Sequence, residues 1–428
     1  MTHPSPTVSP VTGQAREASG EAVDLLIVSN GHGEDAIAAH VAAALARRHP
    51  GRRMAAFPLV GEGGAYERAG IPRAFRSRPM PSGGFGWQSL RWFLQDLRAG
   101  FLSLTAAQMD ALRRLRPRTR ALLLVGDIYP VLLTASFAVP KVFVATARSD
   151  YISPHTRLEA RLMARSCRMV FARDAVTARG LRRMGVSAAC VGNVMMDLVT
   201  PRGWSLGLAE GRPVLALLPG SRHDALDNLR EMAQCAWQVM ARHPQLQVVA
   251  ALARPVQEPH RVAPFRLQPA GAGEQEQGLD GWLAGGPGAP IRVTWRAFAD
   301  LLHRATVVLG LAGTANEQAA GLGRVVVAFP RQGVQYTARF AARQKRLLGD
   351  ALVLARDSRH AAQELIRLLE DPEERQRRGQ EGKNRMGPAG ATAQLVAWLE
   401  RELGWCTTCP PVALPQESSA GDTGHGPA

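Results

Sequence analysis

Lysine is almost missing from these 428 residues: Lys141, Lys345 and Lys383 are the whole supply, and arginine provides the rest of the 52 basic side chains. Against 36 acidic residues this leaves a formal charge of +16. Such an excess has a compositional cause, the codon bias of a GC-rich genome. It also has a functional one, an anionic partner such as a nucleotide diphosphate, lipid headgroups or nucleic acid. Aromatic residues make up only 6% of the chain and are not interleaved with the arginines, which makes nucleic acid the weakest of the three. Cysteine is scarce as well. Cys167, Cys190, Cys235, Cys406 and Cys409 are scattered and odd in number, so no disulfide framework is expected and a reducing cytoplasm fits. Cys406 and Cys409 read as two surface thiols, since one C-x-x-C lacks the second half of a zinc site. No apolar run reaches the ~18–20 residues of a spanning helix, so membrane contact has to be peripheral. Residues 1–21 are polar, lack the apolar stretch of a signal peptide, and read as a disordered leader on an unexported protein.

What is present is a repeating strand–turn–helix grammar. Val23–Ser29 (VDLLIVS) is a short apolar run, followed by the glycine-punctuated turn Asn30–Asp35 (NGHGED) and a helical pattern over Ala36–Arg48. Further strands are expected at Met54–Leu59, Ala121–Val125, Val142–Ala145, Met169–Ala172 and Ala188–Val191. The Gly/Pro-rich connector around residue 200 breaks the pattern. It then restarts with Val214–Leu218, a helix from about Ala225 to Arg242, and strands Gln247–Leu252, Ile291–Thr294, Val307–Leu311 and Arg324–Phe329. Residues 254–290 and the stretch after Phe329 read as loops, and a last helix covers roughly 389–403. The expected fold class is α/β: two Rossmann-like, doubly wound parallel sheets in tandem, at 22–200 and 201–388, facing a cleft. A C-terminal helix over 389–404 is expected to pack back on the first domain, with a disordered tail at 405–428.

Three turns between strand and helix carry the chemistry, because a helix amino end offers unpaired N–H groups and positive dipole to an anion. In the first, His32, Glu34 and Asp35 are candidate general bases, although the two carboxylates equally suit a helix cap. Asp127, just past the ALLLVG strand, is a further base candidate or a turn cap. In the second, Gly220, Ser221 and Arg222 supply amides, a hydroxyl and a guanidinium to a diphosphate. In the third, Gly313 and Thr314 place N–H and O–H groups at a helix start, and Glu317 lies one turn in. There it suits both a ribose and a capping box with Thr314. No D-x-D motif offers a metal bridge to a diphosphate, so no cofactor or metal is expected and diphosphate binding is read as metal-independent. The first turn also lacks the G-x-G-x-x-G spacing of a dinucleotide-binding oxidoreductase.

The segments LALLPGSR, VGNVMMDLV and GLAGTANEQAAGLGRVVVAFP resemble lipid-A-disaccharide synthase. SNGHGEDAIA, RPMPSGGFGWQSLRWFLQDLRAG and FAARQKRLLG resemble the group of proteins related to that synthase. The likeness spans about residues 23–403. It implies a GT-B, inverting glycosyltransferase moving a sugar from a UDP-sugar to a lipid or lipid-linked acceptor. It further implies that Ser221, Arg222, Gly313 and Thr314 face the diphosphate, Glu317 holds the ribose, and Asn316 sits beside the sugar or phosphates. Gln335 would approach the donor sugar. The synthase carries a GEASGD-like segment where this chain has GHGED, which leaves acceptor and base open. Residues 86–104 hold Trp87, Leu90, Phe93, Leu94, Leu97, Phe101 and Leu104 at helical spacing, flanked by Arg91 and Arg98. That stripe suits core packing or an anionic membrane at the inner face of the cytoplasmic membrane. Two rival functions share these features, a UDP-sugar 2-epimerase and a non-catalytic nucleotide-sugar-binding protein.

Overall fold

A computed structural model describes residues 22–61, 63–77, 101–222, 224–257, 259–332 and 336–406. The stripe at 86–104 therefore lies outside the described residues except for its last few positions, which begin the helix Phe101–Leu115 with Leu104 buried.

Strands β1 (Leu25–Ser29), β2 (Met54–Pro58), β3 (Leu122–Gly126), β4 (Lys141–Ala145), β5 (Met169–Ala172) and β6 (Ala188–Ala189) form one sheet, ordered β2-β1-β3-β4-β5-β6. β1 runs parallel to β2 and β3, and β3 parallel to β4. The second sheet contains β7 (Val214–Leu218), β8 (Gln247–Ala251), β9 (Arg266–Pro269), β10 (Gly281–Ala284), β11 (Ile291–Thr294), β12 (Val307–Gly310), β13 (Val325–Ala328) and β14 (Leu352–Leu354). Its order is β14-β13-β12-β7-β8-β11-β10-β9. Every residue of β1, β3, β7, β8, β12 and β13 is buried. Burial on both faces explains why these strands read as continuous apolar runs rather than as alternation. Strand order reverses between β1 and β3 in one sheet and between β7 and β12 in the other. Such switch points open a crevice outside the carboxyl ends of the strands.

The structure departs from the expected elements in four places. β9 and β10 occupy the stretch expected to be loop, and β9–β10–β11 pair antiparallel, so the second sheet is mixed. These strands are short and half exposed, without the long apolar run that marks a buried parallel strand. β14 was also not expected. The loop after Phe329 contains the helix Ala338–Leu348, opened by Thr337, whose Oγ1 accepts the Phe340 amide at 3.3 Å, and closed by Gly349 at φ +58°. The first helix starts at His32 rather than Ala36, with Gly31 as its N-cap.

The described residues group into two compact units. The first comprises residues up to 147, with 161–170 and 399–406; the second comprises 148–160 and 171–398. In the first, Glu400 is fully buried and accepts from Arg48 Nε at 2.6 Å and Nη2 at 2.9 Å, with His49 Nε2 at 2.7 Å. In the second, Asp197 clasps Gly390 and Thr392 at the start of the helix Ala391–Glu402. That carboxylate accepts from the Gly390 and Thr392 amides and from the Thr392 hydroxyl, at 2.5, 2.6 and 2.5 Å. Cys406 is disulfide-bonded, which corrects the expectation of a free surface thiol there; Cys167, Cys190 and Cys235 are free.

Candidate functional site

In the first unit, β1, β3 and β4 are neighbours. The residues just past their carboxyl ends bring together Asn30, Glu34, Asp35, Asp127 and Thr146. Gly31 turns the chain at φ +131°, and a Cβ there would stand 2.5 Å from Glu34 Oε2. Gly126 does the same opposite, at φ +137°, where a Cβ would lie 3.2 Å from Asn30 Cβ and 3.6 Å from Glu34 Cγ. The two glycines thus open the slot into which the Glu34 side chain folds. Burial pushes the Glu34 carboxyl up to about 7. Its own backbone amide pulls it down, the charges of Asp127 and Asp35 add to the rise, and the Thr146 hydroxyl counters it slightly.

The other carboxylates have different surroundings. Asp35 is 2% exposed and accepts the Ser29 hydroxyl at 2.5 Å. Ser29 spends its single proton there, so the Tyr66 hydroxyl, 2.6 Å from Ser29 Oγ, is the donor of that second bond. Full burial holds the Tyr66 phenol protonated far above its usual range. Asp127 is half-buried, and its Oδ1 accepts from Asn30 Nδ2 at 2.8 Å and the Tyr129 amide at 2.9 Å. Asp35 is therefore committed to the fold, whereas Glu34 is half-buried and titrates near neutrality. His32 opens the helix beside them.

In the second unit, β7 and β12 are adjacent and parallel, with Gly310 in register with Leu218. Their turns therefore end side by side. Gly220 takes φ +98°, and Ser221 and Arg222 are exposed before the helix Ala225–Arg242. Arg222 has no ion-pair partner among the described residues. Gly313, not Thr314, is the N-cap of the helix Thr314–Gly321, and no side chain caps it. The capping box weighed for Thr314 and Glu317 is absent, which leaves the Thr314 hydroxyl exposed and the first amides of the helix without a side-chain acceptor. Asn316 is fully buried. Its Nδ2 donates to Gly310 O at 3.1 Å and Gln344 Oε1 at 2.9 Å, and Gly310 has no room for a Cβ beside it. Its Nδ2 thereby holds the turn together, while its Oδ1 has no hydrogen-bond partner among the described residues. Gln344 donates on to Ala312 O and Gly313 O at 3.2 and 3.0 Å, and the buried Tyr336 hydroxyl donates to Gln344 Oε1 at 2.7 Å. Glu317 is met by Arg173, Nη2 to Oε2 at 2.8 Å. Gln335 lies outside the described residues.

Arg173, Thr146 and Asn30 escaped the sequence reading. The first two stand just past an apolar run, the position used to select the other candidates. Asn30 opens the NGHGED turn but carries no charge to draw notice.

No protein-family model matches the chain, and no curated protein matches it in sequence. Solved structures do share its fold. A calicheamicin glycosyltransferase superposes with TM-score 0.59 at 16% identity, covering 90% of this chain and 99% of the other. The UDP-GlcNAc 2-epimerase of Neisseria meningitidis, bound to UDP-GlcNAc, gives 0.54 at 13%, over 89% and 100%. A spinosyn rhamnosyltransferase complexed with thymidine diphosphate gives 0.53 at 15%, over 89% and 100%. The chain thus has the α/β architecture of two Rossmann-like sheets, GT-B type, found in these glycosyltransferases and epimerases.

Proposed function

We propose that this chain is a metal-independent, inverting glycosyltransferase that uses a nucleotide sugar. The observation that carries the reading is the pair of turns at the β7/β12 switch point. They offer exposed Ser221, Thr314 and Arg222, the last with no ion-pair partner among the described residues, at the starts of two helices of the second unit. A diphosphate fits that chemistry: two helix amino ends and a guanidinium supply donors and positive charge without a bridging cation. In the reaction, an acceptor oxygen bonds to the anomeric carbon while the bond from that carbon to the phosphate oxygen breaks. Charge then builds on the departing diphosphate, where Arg222 and fixed dipoles act most strongly. The acceptor proton goes to a carboxylate. Among His32, Glu34, Asp35 and Asp127, Glu34 is favoured, because a base is most effective when it titrates near the working pH. Asp35 is already occupied by Ser29.

UDP as the nucleotide, Glu317 as the ribose ligand and a lipid or lipid-linked acceptor follow from the likeness to lipid-A-disaccharide synthase. Contact with the inner face of the cytoplasmic membrane through residues 86–104 is supported by their apolar stripe flanked by Arg91 and Arg98, a pattern that equally suits core packing. Among the described residues no helix is long and apolar enough to cross a membrane. The fold likeness to 2-epimerases supports a second reading, which differs in needing no acceptor. Incubation with UDP-GlcNAc alone separates them: transfer predicts intact donor, and release of epimerised sugar sinks the transferase reading. For the donor site, Arg222→Ala is expected to weaken UDP binding about 10- to 100-fold by calorimetry, the range for a hydrogen bond to a charged group. Its melting temperature should barely move, because the side chain is exposed.

A further inference from the structure

We propose that Arg173 is a positioning residue. It holds the Glu317 carboxylate in place to receive ribose hydroxyls, and so makes the site prefer ribonucleotides over their 2′-deoxy counterparts. This rests on the nucleotide-sugar reading above and deepens it.

Arg173 follows directly on β5, and Glu317 lies in the first turn of the helix Thr314–Gly321; both belong to the second unit. Nη2 stands 2.8 Å from Oε2, with the two side chains only 12% and 17% exposed. Each end rests on fixed structure. Beside Arg173, Asp174 caps the helix Ala175–Arg183 by accepting the Thr177 amide and hydroxyl at 2.8 and 2.7 Å. Around Glu317, Asn316 is tied to Gly310 and Gln344, and Gln318 Nε2 donates to Met195 O at 3.1 Å. A carboxylate offers about four lone-pair sites, and the ion pair directs only one oxygen at Arg173. The remaining capacity suits two vicinal hydroxyls. A carboxylate close to a diphosphate meets like-charge repulsion unless a cation neutralises it, and Arg173 is placed to do that. Without Arg173, Glu317 would be free to swing, and the repulsion would favour its turning away from the sugar. Because a site that hydrogen-bonds a hydroxyl leaves buried polar atoms unpaired when that hydroxyl is missing, discrimination follows.

The test is calorimetric binding of UDP and 2′-deoxy-UDP to the full chain, with unliganded melting temperature as the check on folding. The wild type is expected to prefer UDP by about tenfold or more. Arg173→Ala and Glu317→Gln should bring the two affinities within about threefold of one another, and Arg173→Lys should restore part of the preference. A merely structural role would weaken both ligands in proportion and leave their ratio untouched, which overturns the proposal. Tighter UDP binding by Arg173→Ala overturns it too, since the pair would then be a latch the nucleotide has to break. If Arg173→Ala does not fold, Arg173→Lys and Glu317→Gln decide the matter: wild-type ratios in both sink the idea. Wild-type protein that binds both nucleotides equally overturns this proposal alone. Wild-type protein that binds neither UDP nor a UDP-sugar removes the nucleotide reading itself.

Discussion

Glu34 holds its proton in the folded protein up to about 7, while the unfolded chain releases it near 4.5. Between those values the folded state binds more proton, so stability falls as pH rises, and above 7 the cost of the buried charge is fully present. Glu34→Gln is therefore expected to stabilise the protein at pH 8 by roughly 3 kcal/mol. The gain should shrink towards zero near pH 4, as read from urea unfolding at both pH values. The same substitution should lower turnover about 10²- to 10⁴-fold, the range for a general base, and the wild-type rate should climb with pH through the neutral range. A group that harms the fold while serving the reaction is what a working site tends to contain. At this scale the sequence picked out the acidic turn but could not rank its members. Glu34 and Asp35 are neighbours in the chain, and their difference arises from partners far along it. Ser29, itself held by Tyr66, takes up Asp35, while Gly126, Asp127 and Thr146 surround Glu34.

Single helices set how well the turns after β7 and β12 are held. The helix Thr314–Gly321 is backed by the helix Pro372–Met386 through glycines: a Cβ on Gly382 would stand 2.3 Å from Ala320 O, and one on Gly379 would stand 2.3 Å from Gly323 O. On another side, Gly321 admits Met196, whose Sδ would lie 2.5 Å from a Cβ there. Gly382→Val is expected to cost about 1–3 kcal/mol of stability by overpacking. It should also weaken UDP binding, because the displaced helix carries Thr314 and Glu317. Asp197→Ala offers the contrast. Losing the clasp on the helix Ala391–Glu402 should cost about 1–2 kcal/mol, with UDP affinity in calorimetry unchanged. The buried parallel strands were legible because a short, β-branched apolar run between turn residues suits a sheet covered on both faces. β9, with Arg266 and Pro269, and β10, which opens on Gly281, show no such run. The helix Ala338–Leu348 is masked in the sequence by its polar content: Gln344, which holds the turn after β12 in place, is one of its buried positions.

Across the whole molecule, the charge of +16 is a matter of encounter rather than of fold. Raising salt from 50 to 500 mM is expected to weaken UDP binding several-fold through screening, with a flatter dependence in Arg222→Ala. The architecture was readable from the order of strand, glycine turn and helix, repeated twice. Side-chain identity within the turns named chemistry but not partners, so the pairing of Arg173 with Glu317, 144 positions apart, could emerge only from the fold. The outermost strand of the second sheet, β9, has a further effect. It is mostly exposed, it carries a cation at Arg266, and it ends on Pro269, which has no amide proton to offer. A boundary of that kind refuses an incoming strand from another molecule. Arg266→Val with Pro269→Val should therefore raise strand addition at that border, read as increased thioflavin T binding on prolonged incubation.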